Sequence, residues 1–250
     1  MKSEKKKIVI GWLYPELMST YGDRGNILVL KKRCEWRNID VLIKRLDLGF
    51  AVSELSSCDL IFMGGAQDKQ QQIVSDDLMK KQKELKRMID EEMPGLYICG
   101  AYQFLGQHYK EADGAIIPGL NILDLYTENP SIDSPRLIGN VIAKIGGMTI
   151  VGFENHGGRT YLGEEVKPLG KVIKGFGNNG IDETEGAIYK NSYCTYFHGP
   201  ILPKNPEFAD LLIKLALEKK YHVTIKLSPI DNSLEIQARA AIAKRLNIKL

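Results

Sequence analysis

A cysteine at the end of a short apolar run stands where nucleophilic catalysis would need it. Leu96–Ile98 would form a strand that delivers Cys99 into a turn of small residues, Gly100 and Ala101, and a helix-compatible stretch follows. This order is typical of a nucleophile elbow, in which a sharp turn exposes the reactive side chain above a sheet. A thiolate is a strong nucleophile, and the start of a helix favours the charged form. The segment predicts covalent catalysis by Cys99, although an inert buried thiol explains it equally well when it is taken alone.

Two further segments carry groups that such a nucleophile needs. Gly64 and Gly65 follow an apolar run and allow backbone N–H groups to converge, as an oxyanion hole requires, and Gly100 would add another N–H. The alternative for these glycines is a plain strand-to-helix turn. His198, at the end of a strand-like run, can act as a general base toward the thiol and return the proton to a leaving amine. Because a lone histidine is more often structural, the prediction depends on the combination.

The elements that must position these residues alternate between strand and helix along the first hundred residues. Apolar runs predict strands at Lys7–Leu13, Val41–Ile43, Asp59–Met63 and Leu96–Ile98, and the pattern of Asp76–Glu92 predicts one amphipathic helix. Asp23 is a candidate cap for an earlier helix. Strands joined by crossover helices form a parallel sheet with helices on both faces, and their carboxyl ends would bring the three loops to one edge.

The middle of the chain, from about 116 to 188, has a different pattern. Short apolar runs broken by glycines predict antiparallel strands and turns at Leu137–Ile145, Thr149–Phe153, Lys171–Ile173 and Gly186–Tyr189. The glycine spacing at Gly175, Gly177 and Gly180 opens no helix and does not support a dinucleotide site. Two helices are predicted near the end of the chain, at Pro206–Tyr221 and Ser233–Leu246.

Composition argues against several classes of function. The 250 residues carry a net charge of +3 with acidic and basic residues interspersed, which does not favour a nucleic acid partner. No apolar run reaches the length of a membrane span, and no signal peptide precedes Ile8. The four cysteines are far apart and form no C-x-x-C pair. This predicts no metal site of the zinc type and favours a reducing, cytoplasmic compartment.

Six segments, in this order along the chain, resemble one family. They are Tyr21–Asn26, Gly64–Asp68, Cys99–Gly106, Arg136–Asn140, Gly152–Thr160 and Tyr196–Pro200. With them the chain resembles the class I glutamine amidotransferases in their CobB/CobQ-like branch, and within it the amidotransferase subunits of lipid II isoglutaminyl synthases. The resemblance implies one α/β domain over 1–250 with a flavodoxin-like fold, a catalytic core at about 7–210 and C-terminal helices at about 206–246. The sheet would be central and mostly parallel, with helices on both faces and an antiparallel extension.

The resemblance also implies roles for the candidate residues. Cys99 would attack the side-chain amide of L-glutamine, His198 would protonate the departing ammonia, and Arg136 would bind the α-carboxylate of the substrate. The remaining expected substrate-site groups are the backbone amides of Gly64, Gly65 and Gly100, which would stabilise the oxyanion, and Gln103.

Three carboxylates are candidates for the group that orients the imidazole, because the chain lacks the His-x-Glu of many class I amidotransferases. They are Asp23, Glu154 and Glu207, and a Cys–His dyad is the alternative. His156 and Arg159 lie in a glycine-rich segment, and we expect them to form a structural turn beside the pocket.

The acceptor of the ammonia must be activated elsewhere, because the chain has no G-x-x-x-x-G-K-[ST] phosphate loop. We therefore expect no cofactor on this chain. By resemblance, the partner is a MurT-like Mur-ligase subunit that uses ATP and Mg²⁺, and the heterodimer amidates D-glutamate of lipid II to D-isoglutamine for peptidoglycan. The complex would reach lipid II at the inner face of the membrane. Two alternatives stay open: an amidotransferase subunit for a cobyrinate-type synthetase, and a non-catalytic binding module in which Cys99 is inert.

Overall fold

A six-stranded sheet forms the centre of the fold in the computed structural model, which describes residues 5–249 apart from the side chain of Asp68. In spatial order its strands are β13 (Ala187–Tyr189), β14 (Ser192–Thr195), β4 (Gly95–Ile98), β3 (Leu60–Met63), β1 (Lys7–Leu13) and β2 (Asp40–Leu46). Neighbouring strands pair in parallel, except that β13 and β14 are antiparallel. The predicted parallel sheet is therefore confirmed, and β2 is longer than its apolar run.

Helices cover both faces of this sheet. The helices are α1 (Arg24–Glu35), α2 (Val52–Ser56), α3 (Asp68–Met79), α4 (Gln82–Asp90), α5 (Gly100–Leu105), α6 (Pro206–Tyr221) and α7 (Ser233–Arg245). Of these, α7 packs against Ile142 and Val151, outside the central sheet. Every residue of β3, β4 and β14 is buried. Because successive side chains of a strand point to opposite faces, this burial shows that both faces are covered. Within the described residues, no helix is long and apolar enough to cross a membrane.

The single helix predicted for Asp76–Glu92 is wrong, because two helices meet in this segment. The break lies at Lys80 and Lys81, between α3 and α4. Lys81 is almost fully buried: its ammonium group pairs with Asp77 at 2.5 Å and lies 4.6 Å from the centre of the Phe50 ring. This contact of Lys81 lies where the helix breaks, and the local periodicity of the sequence does not reveal it.

Two four-stranded sheets form the antiparallel extension. The first consists, in spatial order, of β10 (Arg159–Leu162), β7 (Leu125–Glu128), β5 (His108–Lys110) and β6 (Ile116–Pro118). The second consists of β12 (Thr184–Glu185), β11 (Gly170–Lys174), β8 (Leu137–Ile145) and β9 (Met148–His156). Pairing is antiparallel except between β5 and β7. Of these strands, the sequence pattern identified β8, β9 and β11, and it also identified β13 of the central sheet. It missed β5, β6, β7, β10 and β12, which have two to four residues and are too short to show a period of two.

The topology brings four loops to one edge of the central sheet. They follow the carboxyl ends of β1, β3, β4 and β14, where ligands bind in open parallel sheets. Strand β9 lies beside the last of these loops. Phe153 and His198 exchange two backbone hydrogen bonds, with N···O distances of 2.6 and 3.2 Å. The antiparallel extension is thus joined to the edge where the predicted site residues gather.

A bulky residue precedes the cysteine by two positions, and a glycine makes room for it. The side chain of Tyr97 is buried. A Cβ atom on Gly95 would lie only 2.4–2.7 Å from atoms of the Tyr97 side chain. The ring folds back over the start of its own strand, so β4 accommodates a tyrosine next to the elbow.

We predict that Gly95→Ala lowers the free energy of unfolding by about 1–3 kcal/mol, because the added methyl group overpacks a central strand. Urea unfolding measures the change. The matched control is Gly139→Ala, where an added Cβ meets nothing within 4 Å. We expect this control to change stability by less than about 0.5 kcal/mol. Equal losses in both variants would contradict the packing account.

Candidate active site

Cys99 occupies a strained turn between β4 and α5. Its backbone dihedrals are φ 52° and ψ −106°, in a region that costs a non-glycine residue about 1–3 kcal/mol. The backbone N–H donates to the carbonyl oxygen of Thr195 at 2.9 Å, which ties the turn to the end of β14. The side chain is 8% exposed and lines a cavity of about 720 Å³. This is the geometry predicted for a nucleophile elbow.

His198 lies beside Cys99 in the same cavity wall. A Cβ atom on Gly65 would lie 2.7 Å from Cε1 of His198 and 3.1 Å from Cβ of Cys99, so the two side chains meet around this glycine. Nδ1 of His198 is 3.3 Å from Oδ1 of Asp23, and both side chains are fully buried. Because the Nδ1–H group donates a hydrogen bond to Asp23, Nε2 is left for the thiol. Nε2 makes no hydrogen bond to any residue that the structure describes.

The charges around His198 favour its protonated form. Burial opposes protonation, but the negative charges of Cys99 and Asp23 and the hydrogen bond to Asp23 outweigh it and raise the pKa of His198 to about 10. An imidazolium next to a thiolate can deliver a proton to an amine that leaves from a covalent intermediate. The arrangement therefore suits acyl transfer through Cys99.

Of the three candidate orienting carboxylates, Asp23 is the one that contacts the imidazole ring. Glu154 instead accepts two backbone N–H groups of the loop after β11, at 2.7 and 2.9 Å. Glu207 forms two hydrogen bonds with Arg239, at 2.8 and 2.9 Å. The geometry therefore offers a Cys–His–Asp arrangement rather than a dyad.

Asp23 occupies the predicted N-cap position of α1, but its carboxylate makes no hydrogen bond to the start of the helix. Its Oδ2 atom accepts the N–H of Gly65 at 2.7 Å instead. The Gly65 N–H is therefore already engaged and is not available to an oxyanion in this arrangement. Gly64 stays a predicted site residue, with no room for a side chain because Met18 O would lie 2.4 Å from its Cβ.

Two other backbone N–H groups are better placed to hold an oxyanion. A Cβ atom on Gly100 would lie 3.3 Å from the backbone nitrogen of Ala66, so the two peptides are neighbours beside the elbow. The N–H of Ala66 makes no hydrogen bond to another described residue. Gly100 begins α5, where the first N–H groups have no acceptor within the helix. Sequence reasoning missed Ala66 because an alanine after two glycines carries no chemical signal.

Arg136 lies on the rim of the same cavity. Its Nε donates to the side-chain oxygen of Asn155 at 2.8 Å, and its Nη2 donates to the backbone oxygen of Asn155 at 3.0 Å. Both residues line the cavity with Cys99 and His198. A guanidinium held in this way can present its remaining N–H groups to a carboxylate. Arg136 is thus placed where it could bind the α-carboxylate of the substrate, and this role stays a prediction.

Gln103 belongs to a buried hydrogen-bond network in the cavity wall. Its Oε1 accepts from Gln71 at 3.2 Å, and its Nε2 donates to the hydroxyl of Tyr196 at 3.2 Å. Tyr196 in turn is 2.6 Å from the hydroxyl of Thr160. Direct contact between Gln103 and a substrate stays a prediction. Gln71 and Tyr196 were missed, since a glutamine in a run of three and a tyrosine before a histidine look ordinary in sequence.

The segment with His156 and Arg159 forms the turn between β9 and β10. The His156 ring stacks on Tyr196, with centroids 3.7 Å apart, and its Nδ1 donates to the carbonyl oxygen of Gly158 at 2.7 Å. Burial lowers the pKa of His156. Arg159 donates to the carbonyl oxygen of Pro135 at 2.6 Å. These contacts fit the structural role expected for the segment.

We predict that the imidazole of His198 titrates near pH 10 and that Asp23→Asn lowers its pKa, because the variant removes the negative charge at Nδ1. Histidine ring NMR across a pH series measures the shift. Glu207→Gln is the control, since Glu207 pairs with Arg239. The assignment of Asp23 fails if the control shifts the His198 titration as much as Asp23→Asn does.

Comparison with known proteins agrees with this geometry. The family model of the CobB/CobQ-like glutamine amidotransferase domain matches residues 9–206. The chain is 43% identical over 231 residues to the GatD subunit of lipid II isoglutaminyl synthase (glutamine-hydrolyzing) from Staphylococcus aureus, covering 92% of each chain. It is 42% identical over 229 residues to the same subunit from Streptococcus pneumoniae, covering 90% of this chain and 86% of that one.

Two further matches are more distant. A probable cobyric acid synthase from Methanothermobacter thermautotrophicus is 31% identical over 172 residues, which cover 64% of this chain and 33% of that protein. A crystal structure of a glutamine amidotransferase superposes with a TM-score of 0.58 at 15% identity, covering 83% of this chain and 98% of that one. The latter likeness shows the fold.

Proposed function

We propose that this chain, which belongs to the CobB/CobQ-like glutamine amidotransferases, is a glutamine-hydrolysing amidotransferase subunit that serves the amidation of lipid II. The two GatD relatives support lipid II as the destination of the ammonia, since they match over at least 86% of both chains. The cobyric acid synthases match at lower identity, and the chain spans only about a third of their length. This favours lipid II over a cobyrinate-type acceptor.

The proposed reaction runs through a thioester on Cys99. The thiolate attacks the side-chain amide carbon of L-glutamine. The oxygen of the tetrahedral intermediate then accepts hydrogen bonds from the backbone N–H groups of Ala66 and Gly100. His198 transfers its Nε2 proton to the amide nitrogen, the C–N bond breaks and ammonia leaves. A water molecule, deprotonated by the now neutral His198, then attacks the thioester and releases glutamate. Asp23 would keep the imidazole in the required orientation throughout.

The observation that carries this mechanism is the meeting of distant chain segments around one cavity. Cys99, His198 and Asp23 come from three different loops, yet their side chains surround Gly65. Arg136 lines the same cavity at its rim. A binding module with an inert thiol would not require a buried carboxylate on the histidine, a strained cysteine and a guanidinium around one space.

We further propose that the chain works in a heterodimer with a MurT-like Mur-ligase subunit. The sequence contains no G-x-x-x-x-G-K-[ST] loop, so the partner would bind ATP and Mg²⁺ and activate the α-carboxylate of D-glutamate in the lipid II stem peptide. Ammonia from Cys99 would convert it to D-isoglutamine. The complex would act in the cytoplasm, at the inner face of the membrane where its lipid substrate lies.

We predict that Cys99→Ala abolishes glutamine-dependent amidation by the reconstituted complex, with a fall of about 10³-fold or more, because the covalent step is lost. Ammonium chloride should restore amidation, since the partner is intact. Mass spectrometry of the lipid II product measures both. The control is Cys34→Ala, a buried thiol in α1 that should retain glutamine-dependent activity.

Two outcomes would contradict separate parts of the proposal. If Cys99→Ala kept glutamine-dependent amidation, the nucleophile would lie elsewhere. If the wild-type complex released ammonia from glutamine but amidated no lipid II with either nitrogen source, the glutaminase would stand and the acceptor or the partner would be wrong.

A further inference from the structure

Strand β9 contacts both the catalytic histidine and the arginine on the cavity rim. Phe153 forms two backbone hydrogen bonds with His198, and Asn155 accepts two hydrogen bonds from Arg136. The two contacts come from positions only two apart on β9, which is roughly 7 Å along the strand. One short piece of strand thus sets the spacing between the base and the proposed carboxylate-binding group.

The orientation of the Asn155 amide follows from its partners. A guanidinium can only donate hydrogen bonds, so the atom of Asn155 that meets Nε of Arg136 must be the oxygen. The amide nitrogen therefore points the other way and donates to the hydroxyl of Tyr21 at 2.7 Å. Asn155 is held at both ends, and its side chain joins Arg136 to Tyr21.

Tyr21 carries the connection to the catalytic histidine. Its ring meets the His198 ring edge to face, with centroids 5.0 Å apart and planes at 71°. Such a contact favours one relative orientation of two rings. Tyr21 has φ 55°, a conformation that a bulky residue adopts at a cost, and lies two positions before Asp23. Both the ring and the Nδ1 atom of His198 are therefore contacted from one short loop.

We propose that Asn155 is a positioning residue that couples recognition of the substrate α-carboxylate at Arg136 to the orientation of the His198 ring through Tyr21. The inference rests on the proposed glutaminase function and deepens it. A substrate carboxylate would bind the guanidinium of Arg136. Asn155 connects this guanidinium to Tyr21, and the loop of Tyr21 orients His198. The site thereby selects substrates with a free α-carboxylate, because only these use the Arg136–Asn155–Tyr21 chain.

The first test compares Asn155→Ala with Tyr21→Phe in kcat/KM for L-glutamine. Asn155→Ala removes both side-chain contacts, and we expect kcat/KM to fall about 10–100-fold. Tyr21→Phe keeps the ring but removes the hydroxyl, and we expect a smaller fall of several-fold. Asn191→Ala is the matched control, since its side chain donates to the carbonyl oxygen of Glu92 at the far end of the sheet. It should leave kcat/KM unchanged.

The second test separates coupling from a merely structural role by a double-mutant cycle with Arg136→Ala. If Asn155 acts through the arginine, Asn155→Ala adds little in the Arg136→Ala background. L-glutaminamide, which has no α-carboxylate, gives the same information with the intact arginine. We expect Asn155→Ala to reduce turnover of L-glutaminamide much less than turnover of L-glutamine.

Each possible result bears on one part of the proposal. Additive losses in the double-mutant cycle, or equal losses with the two substrates, would contradict the proposed coupling through Asn155. Labelling of Cys99 by 6-diazo-5-oxo-L-norleucine, a reactive glutamine mimic, serves as the separate check of the proposed function. If the wild-type protein in its complex is not labelled, the glutaminase proposal itself fails. If it is labelled but the cycle is additive, only the role of Asn155 fails. Circular dichroism spectra and thermal unfolding midpoints should stay similar in all variants, which shows that each variant remains folded.

Discussion

The buried carboxylate of Asp23 is the constraint around which the site is organised. One oxygen lies 3.3 Å from Nδ1 of His198, and the other accepts the N–H of Gly65 at 2.7 Å. A charge without access to water is costly unless such partners satisfy it. The loops after β1, β3 and β14 must therefore stay together for the carboxylate to be stable. Their meeting point is where the elbow after β4 presents Cys99.

The central sheet and the antiparallel extension contribute different residues to the site. The central parallel sheet supplies the proposed nucleophile, base and orienting carboxylate from the carboxyl ends of its strands. The antiparallel extension supplies Arg136 and Asn155, and it joins the central sheet through the backbone bonds between Phe153 and His198. Rigid strands on both sides of the cavity thus set the distance between the reacting carbon and the recognised carboxylate, as a preorganised site requires.

The sequence was informative wherever a local pattern determines the structure. Buried parallel strands are continuous apolar runs, and the elbow shows itself as a cysteine between an apolar run and small residues. Contacts between distant segments left no such trace. Asp23 looked like a helix cap, although its partners are 42 and 175 positions away. Lys81 looked like part of a helix surface, although it packs on Phe50. That Cys99 and His198 lie together could be predicted from the sequence, whereas the groups around them required the fold.

The central claim is that Cys99 carries the glutamyl group during turnover. Acid quenching of the complex during steady-state hydrolysis of isotope-labelled L-glutamine, followed by peptide mass spectrometry, tests it most directly. The account predicts a labelled glutamyl thioester on the Cys99 peptide that disappears when glutamine is exhausted. Label on a different residue, or continued ammonia release after an alkylating agent has blocked Cys99, would contradict it.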